Sequence, residues 1–168
     1  MKKALLIIIV LIFLVSAFSF GEVRKGGALG LEGIGGWSYG YGGLGGTALT
    51  FKFPKLPIMW AADFGFGFGW FHVGATADWW MMNNQISGPF YWYWGLGIFG
   101  GIWTGGYLDV AFGGRVPVGF QFWLFELTSV PSNLELFLEF APSVGVRLGS
   151  STGLHFSLPV ALGGRWWF

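Results

Sequence analysis

The last fifteen residues read Leu154-His-Phe-Ser-Leu-Pro-Val-Ala-Leu-Gly-Gly-Arg-Trp-Trp-Phe168. Every second residue from Leu154 is Leu, Phe, Leu, Val, Leu, Gly, Trp and Phe. The interleaved set is His155, Ser157, Pro159, Ala161, Gly163, Arg165 and Trp167. One face is apolar along its whole length, and the other is mostly small or polar and carries the only charge. Alternation with period two predicts a strand with two chemically different faces.

The same alternation recurs upstream. It predicts strands over about 28–36, 44–53, 90–99, 107–123 and 134–148, with the closing strand from 154. Residues 58–82 carry one phase through Trp60, Phe64, Phe66, Phe68 and Trp70, then slip to Phe71, Val73, Ala77 and Trp79. A one-residue slip means a bulge or a tight turn, and a single strand of that length is far beyond the roughly 9–11 residues that cross a membrane. The segment is therefore read as a hairpin turning near Gly69-Trp70-Phe71. Connections are predicted at 37–43, at Pro54–Pro57, at the turn-rich cluster Asn83–Pro89, at 100–106, at 124–133 and at 149–153. The count is eight, an even number, as single-chain bacterial barrels have.

Composition decides which face meets which medium. The chain is 54% hydrophobic but only 10% charged, with 31 Gly, 19 Phe and 11 Trp in 168 residues, where a soluble domain has about 25% charged residues. The second face is mainly Gly, Ala, Ser and Thr with about one charge per strand, too little for a water-facing exterior. The bulky set is also too large for the bore of eight strands. The bulky face is therefore predicted to meet lipid, and the small, sparsely charged face to fill the lumen. The fold class expected is all-β, an eight-stranded antiparallel up-and-down transmembrane barrel.

Lys2-Lys3 followed by the apolar run Ala4–Phe18 reads as a secretory signal. This predicts a signal peptide over 1–19 and a barrel domain over 20–168, with a start at Glu22 as the alternative. There is no Cys, hence no disulfide, thiolate metal site or lipid-modified cysteine. The net charge of +1 and the lack of a basic patch argue against a nucleic-acid partner.

Several blocks carry a family resemblance: Asp63-Phe-Gly-Phe-Gly-Phe-Gly-Trp70, His72-Val-Gly-Ala-Thr-Ala-Asp78, Gly113-Gly-Arg-Val-Pro-Val-Gly119, Leu136-Phe-Leu-Glu-Phe-Ala-Pro142 and the aromatic end. Over roughly residues 45–168 they resemble eight-stranded outer-membrane barrels of a spirochaete type, similar in shape to OmpA- and OmpX-type barrels. The resemblance implies a monomer in the bacterial outer membrane, with lipid as its surroundings. It also implies that the last strand, through Trp166 and Phe168, is presented to the barrel assembly machinery. It implies no activity. A surface-binding, adhesin-like role is one alternative that it brings.

With the N-terminus in the periplasm, the outward aromatics fall into two girdles. Trp60, Trp79 and Trp92 mark the periplasmic ends, and Trp70, Trp103 and Tyr107 the outer ends. An inverted topology would exchange them. The charges fall on the inward phase: Glu32, Lys52, Asp63, Asp78, Asp109, Arg115, Glu135, Glu139, Arg147 and Arg165, joined by His155. Buried charges must pair. The predicted registers set Arg115 one diagonal step from Glu139 and Arg147 opposite His155. They also set Asp63 opposite Asp78, a repulsion that Lys52 or an arginine from across the lumen must relieve. Tyr93 is a candidate donor to Asp78.

Three functions fit such a lumen: a side-chain plug with a structural envelope role, a narrow conduit for ions or small solutes gated by the paired charges, and catalysis. The last lacks support. His155 and Ser157 share a face but stand about 7 Å apart, beyond hydrogen-bond reach, and the Gly-x-Gly runs at Gly65 and Gly95 precede no helix and bind no phosphate. No catalytic residue, metal site or cofactor is assigned, and the structural plug is the expectation.

Overall fold

The computed structural model describes residues 26–38, 42–124, 133–150 and 152–168. The predicted signal peptide, Tyr39 and Tyr41 of the first connection, and most of the 124–133 connection lie outside the described residues. Ten strands follow in order: β1 (Ala28–Ser38), β2 (Gly42–Lys52), β3 (Ile58–Gly67), β4 (Trp70–Ser87), β5 (Phe90–Thr104), β6 (Leu108–Arg115), β7 (Val118–Trp123), β8 (Leu134–Phe140), β9 (Ser143–Leu148) and β10 (Gly153–Trp167). They make eight spans, because β6 and β7 are one span interrupted at Val116-Pro117, and β8 and β9 one span interrupted at Ala141-Pro142. All pairings are antiparallel, and β1 pairs with β10 from Ala28↔Trp167 to Ser38↔Ser157. The sheet closes on itself and leaves no edge.

The register fixes the shape. A ladder leaving β1 at Ala28 passes Lys52, Met59, Asp78, Gly97, Arg115, Ser143 and Ser157. It re-enters β1 at Ser38, ten residues further on (38 − 28). With that stagger over eight spans, a rise of about 3.3 Å per residue and a spacing of about 4.8 Å, the strands tilt by about 40° and the radius is about 8 Å. Such a bore holds side chains and little else. Every residue of this ladder has the inward phase, so it also marks which half of each strand faces the lumen.

The outside is apolar and exposed, and the inside is buried and mixes the charges with rings such as Trp80, Phe137 and Trp167. Leu31, Phe120 and Leu162 are 61%, 57% and 66% exposed, whereas Glu135 and Arg165 are 0% and 1%. Within the described strands every charged side chain has the inward phase. This inversion of the usual soluble arrangement follows directly from the period-two pattern.

Four predicted boundaries move. The β3–β4 hairpin turns on two residues, Phe68-Gly69, with Gly69 at φ 77°, a left-handed conformation that favours glycine. It turns two positions earlier than the sequence suggested. The cluster 83–89 is mostly strand: Asn83 and Gln85 pair with Tyr93 and Tyr91, and two register shifts absorb the irregularity. Asn83 and Gln85 have the inward phase, Asn84 and Ser87 the outward, and only Gly88-Pro89 turns. Likewise β5 runs on to Thr104 and β1 to Ser38, which shortens the connections predicted at 100–106 and 37–43. The prolines explain the two interruptions. Each lacks a ladder donor, and the wall is held by Gly95 N donating to Pro117 O (2.9 Å), Val116 N to Pro142 O (3.0 Å) and Ala141 N to Pro159 O (3.0 Å).

Candidate functional site

The lumen gathers the charges in three tiers. Nearest the ends of the described chain, Gly26 and Phe168, Arg165 on β10 stands directly opposite Glu135 on β8. Its Nη1 lies 3.0 Å from Glu135 Oε1, and its Nε donates to Thr50 Oγ1 at 3.1 Å. Gln121 Nε2 donates to the same Oε1 (2.9 Å), and Trp167 Nε1 to Oε2 (2.6 Å). The guanidinium lies 3.5 Å from the Phe137 ring centroid and 5.5 Å from that of Trp80. A buried ion pair is tolerable only when its remaining donors and acceptors are satisfied, and here both members are held by neutral partners as well. Lys52 sits at this end. Its Nζ donates to Gly26 O (2.8 Å) and lies 5.8 Å from the Trp167 ring, so it relieves neither Asp63 nor Asp78.

The middle tier centres on Arg115. Its Nη2 donates to Glu139 Oε1, and its Nε lies 3.2 Å from Asp78 Oδ1. The structure thus brings Arg115 and Glu139 together, and Arg115 is the arginine that neutralises Asp78. Tyr93 donates to Glu139 Oε2 (2.6 Å) rather than to Asp78, and its ring stacks on Trp80 with centroids 4.2 Å apart. Gly119 makes this possible, since a Cβ there would run into the Tyr93 ring. Glu32 is buried in the same inward row, within electrostatic reach of Arg165 and Arg115.

The far tier differs most from expectation. Asp63 does not face Asp78. Because the hairpin turns at Phe68-Gly69, Asp63 is opposite Gly74 and Asp78 opposite Met59. Asp63 is paired instead with His72, Oδ2 to Nε2 3.1 Å. Arg147 is opposite Gly153 and His155 opposite Gly145, so those two are diagonal rather than directly across. Asp109 accepts from Ser150 N (2.6 Å) and Ser150 Oγ (2.9 Å), tying the lumen wall to the β9–β10 turn.

Two girdle assignments are corrected. Trp103 pairs with His72 and Asp109, in the inward phase, and its ring stacks on His72 at 4.4 Å and lies 6.1 Å from His155. Trp70 is opposite Gly67, again inward, with its ring against Gly65. Both line the mouth of the lumen because the strands continue through residues that the sequence pattern treats as turn. Phe66, Phe71 and the exposed Phe68 and Tyr107 provide the outward aromatics at that end. At the termini end Trp60, Trp79 and Trp92 have the outward phase, as do Trp166 and Phe168. Phe51 stacks on Trp60 there (6.4 Å) and Phe90 packs on Phe122 (5.0 Å). The last residue also helps close the barrel: Phe168 N donates to Gly27 O and Gly27 N to Phe168 O, both at 2.9 Å.

No protein-family model matches the sequence, and comparison with curated proteins finds no match. Solved structures do match. Neisserial surface protein A aligns over 88% of this chain and 100% of its own, at 13% identity and a TM-score of 0.56. This chain has the small eight-stranded outer-membrane barrel fold. Ail, the attachment invasion locus protein of Yersinia pestis, aligns over 86% of this chain and 100% of its own, at 12% identity and a TM-score of 0.44.

Sequence reasoning did not single out the neutral members of the barrel's network: Thr50, Trp80, Gln121, Phe137 and Trp167. Their signal was their phase. Each shares the inward face with a charge already marked, and a buried charge needs such partners.

Proposed function

We propose that this protein is an integral outer-membrane barrel with a structural, envelope role, its lumen a plug of bonded side chains. The observation that supports it best is the packing of the termini-side and middle tiers. Arg165, Glu135, Gln121 and Phe137 of the first and Tyr93 of the second are all under 2% exposed and sit within a barrel of about 8 Å radius. The exposed apolar exterior, bounded by aromatics at both ends, is the surface that a bilayer covers. In this reading the chain is a monomer surrounded by outer-membrane lipid. A signal peptide exports it, and the assembly machinery receives it by its last strand. No catalysis, cofactor or nucleic acid enters. A surface-binding role is less well supported, because among the described residues two hairpins at the far end are tight: Phe68-Gly69 and 105–107.

Planar-bilayer conductance of the refolded chain, with folding checked by heat-modified gel mobility, tests the plug. A folded barrel that leaves the bilayer silent is the expected result. Discrete, salt-dependent steps would replace the plug with a narrow conduit, and the Arg115–Glu139 pair would then be the first constriction to neutralise.

A further inference from the structure

Three consecutive spans carry a proline side by side. Val116, next to Pro117, donates to Pro142 O, and Ala141, next to Pro142, donates to Pro159 O. Beside Pro142, the middle one of the three, the outer wall is indented by an apolar groove of about 690 Å³. It crosses five neighbouring strands, from Leu96 on β5 over Val116 and Val144 to Phe156 and Leu158 on β10 and Trp37 on β1. Four strand spacings make it about 19 Å long.

The geometry points to a seat for one acyl chain of a membrane lipid, held in this proline-notched groove more persistently than lipid elsewhere around the barrel. This rests on the outer-membrane reading above. Three features select the occupant. The groove is continuous with the apolar exterior on both sides, through exposed Ile98, Phe112, Val146 and Leu162. Its polar neighbours turn their heads away: Arg115 is engaged by Glu139 and Asp78, and Ser143 Oγ donates to Ala141 O at 2.8 Å. An occupant therefore meets methyl, methylene and ring surface, which suits a lipid tail and offers a headgroup nothing. The groove also runs obliquely to the barrel axis, so a chain lying in it contacts wall along its whole length, whereas an upright neighbour touches each strand only in passing. Contact along the full chain is what slows departure, since apolar burial scales with area.

Gly114 supplies the control. It faces outward within the groove, and a Cβ added there meets nothing closer than Gly97 O at 3.8 Å. Gly114→Leu therefore fills the seat without pressing on the backbone. The experiment is photo-crosslinking of the folded full chain in vesicles of a phosphatidylcholine with a diazirine midway along one acyl chain, followed by mapping of the adducts. The expected result is adducts enriched several-fold at Leu96, Val116, Val144, Phe156 and Leu158 over Phe64, Val73 and Ile102, and a fall to that belt level in Gly114→Leu. Adducts spread evenly around the belt, bulk lipid contact only, overturn the seat and leave the outer-membrane reading standing. A folded chain with no belt adducts overturns both. If Gly114→Leu does not fold, the wild-type distribution and the milder Val144→Phe decide.

Discussion

Arg165 and Glu135 face each other across the β10–β8 ladder, 3.0 Å apart, and neither is more than 2% exposed. An ion pair so placed is held together by the cost of separating it. Glu135→Leu leaves the guanidinium facing the rings of Phe137 and Trp80 and strips Gln121 and Trp167 of their acceptor. It is expected to cost about 3–5 kcal/mol, read by urea unfolding in bilayers with gel mobility as the signal. The double variant Glu135→Leu/Arg165→Met is expected to recover much of the loss. If the double variant is as unstable as the single, packing around the pair, and not the stranded charge, is what matters.

Tyr93 is asked to bond a carboxylate and to fill space at once. Tyr93→Phe keeps the stack on Trp80 and removes only the hydroxyl donated to Glu139. The expected loss is about 1.5–3 kcal/mol, the range for a hydrogen bond to a charged group. Unchanged unfolding midpoints would mean that Arg115 alone satisfies Glu139.

Gly119 and Tyr93 share one small volume on the lumen side. Gly119→Ala pushes a methyl into the ring and is expected to destabilise by about 1–3 kcal/mol, as overpacking does. Outward Gly114→Ala, whose Cβ would meet only Gly97 O at 3.8 Å, is expected to be close to neutral by the same assay.

The assignment of outside and inside is tested by a single charge. Val118 has the outward phase, opposite Trp94 and Phe140. Val118→Arg is expected to cost about 2–4 kcal/mol if it lies near the bilayer midplane. Folding in lipid with wild-type stability would mean that the outer wall does not face hydrocarbon.

Strand registers were the least legible part of the sequence. The number of spans, their phase and the inward gathering of charge could be read because the side-chain period of a strand is two and the two faces differ so sharply. Partner choice could not, because it depends on the turn. Moving the β3–β4 turn by two positions keeps Asp63 and Asp78 on their predicted inward face and turns Trp70 inward, yet replaces an Asp63–Asp78 clash with Asp63–His72 and Asp78–Arg115. Trp103 shows the complementary failure. Ile98, Gly100 and Ile102 carry the outward phase onward and place Trp103 inside, but glycines at 100, 101, 105 and 106 look like a turn. The proline interruptions were visible as residues, though not as a shared level in three spans, since that level exists only once the strands are staggered.

The ten-residue stagger has a consequence for how the molecule comes into being. Ala28 meets Trp167 and Gly27 meets Phe168, so the contact that seals the wall joins the two most distant parts of the described chain. Such contacts are the slowest to form, because the loop they close is the longest. A chain still lacking its last strand is not a narrower barrel. It is an open sheet with two unpaired edges, each a template for a neighbouring chain. Whatever keeps those two edges from pairing with other chains until the β1–β10 ladder forms acts as part of the folding pathway.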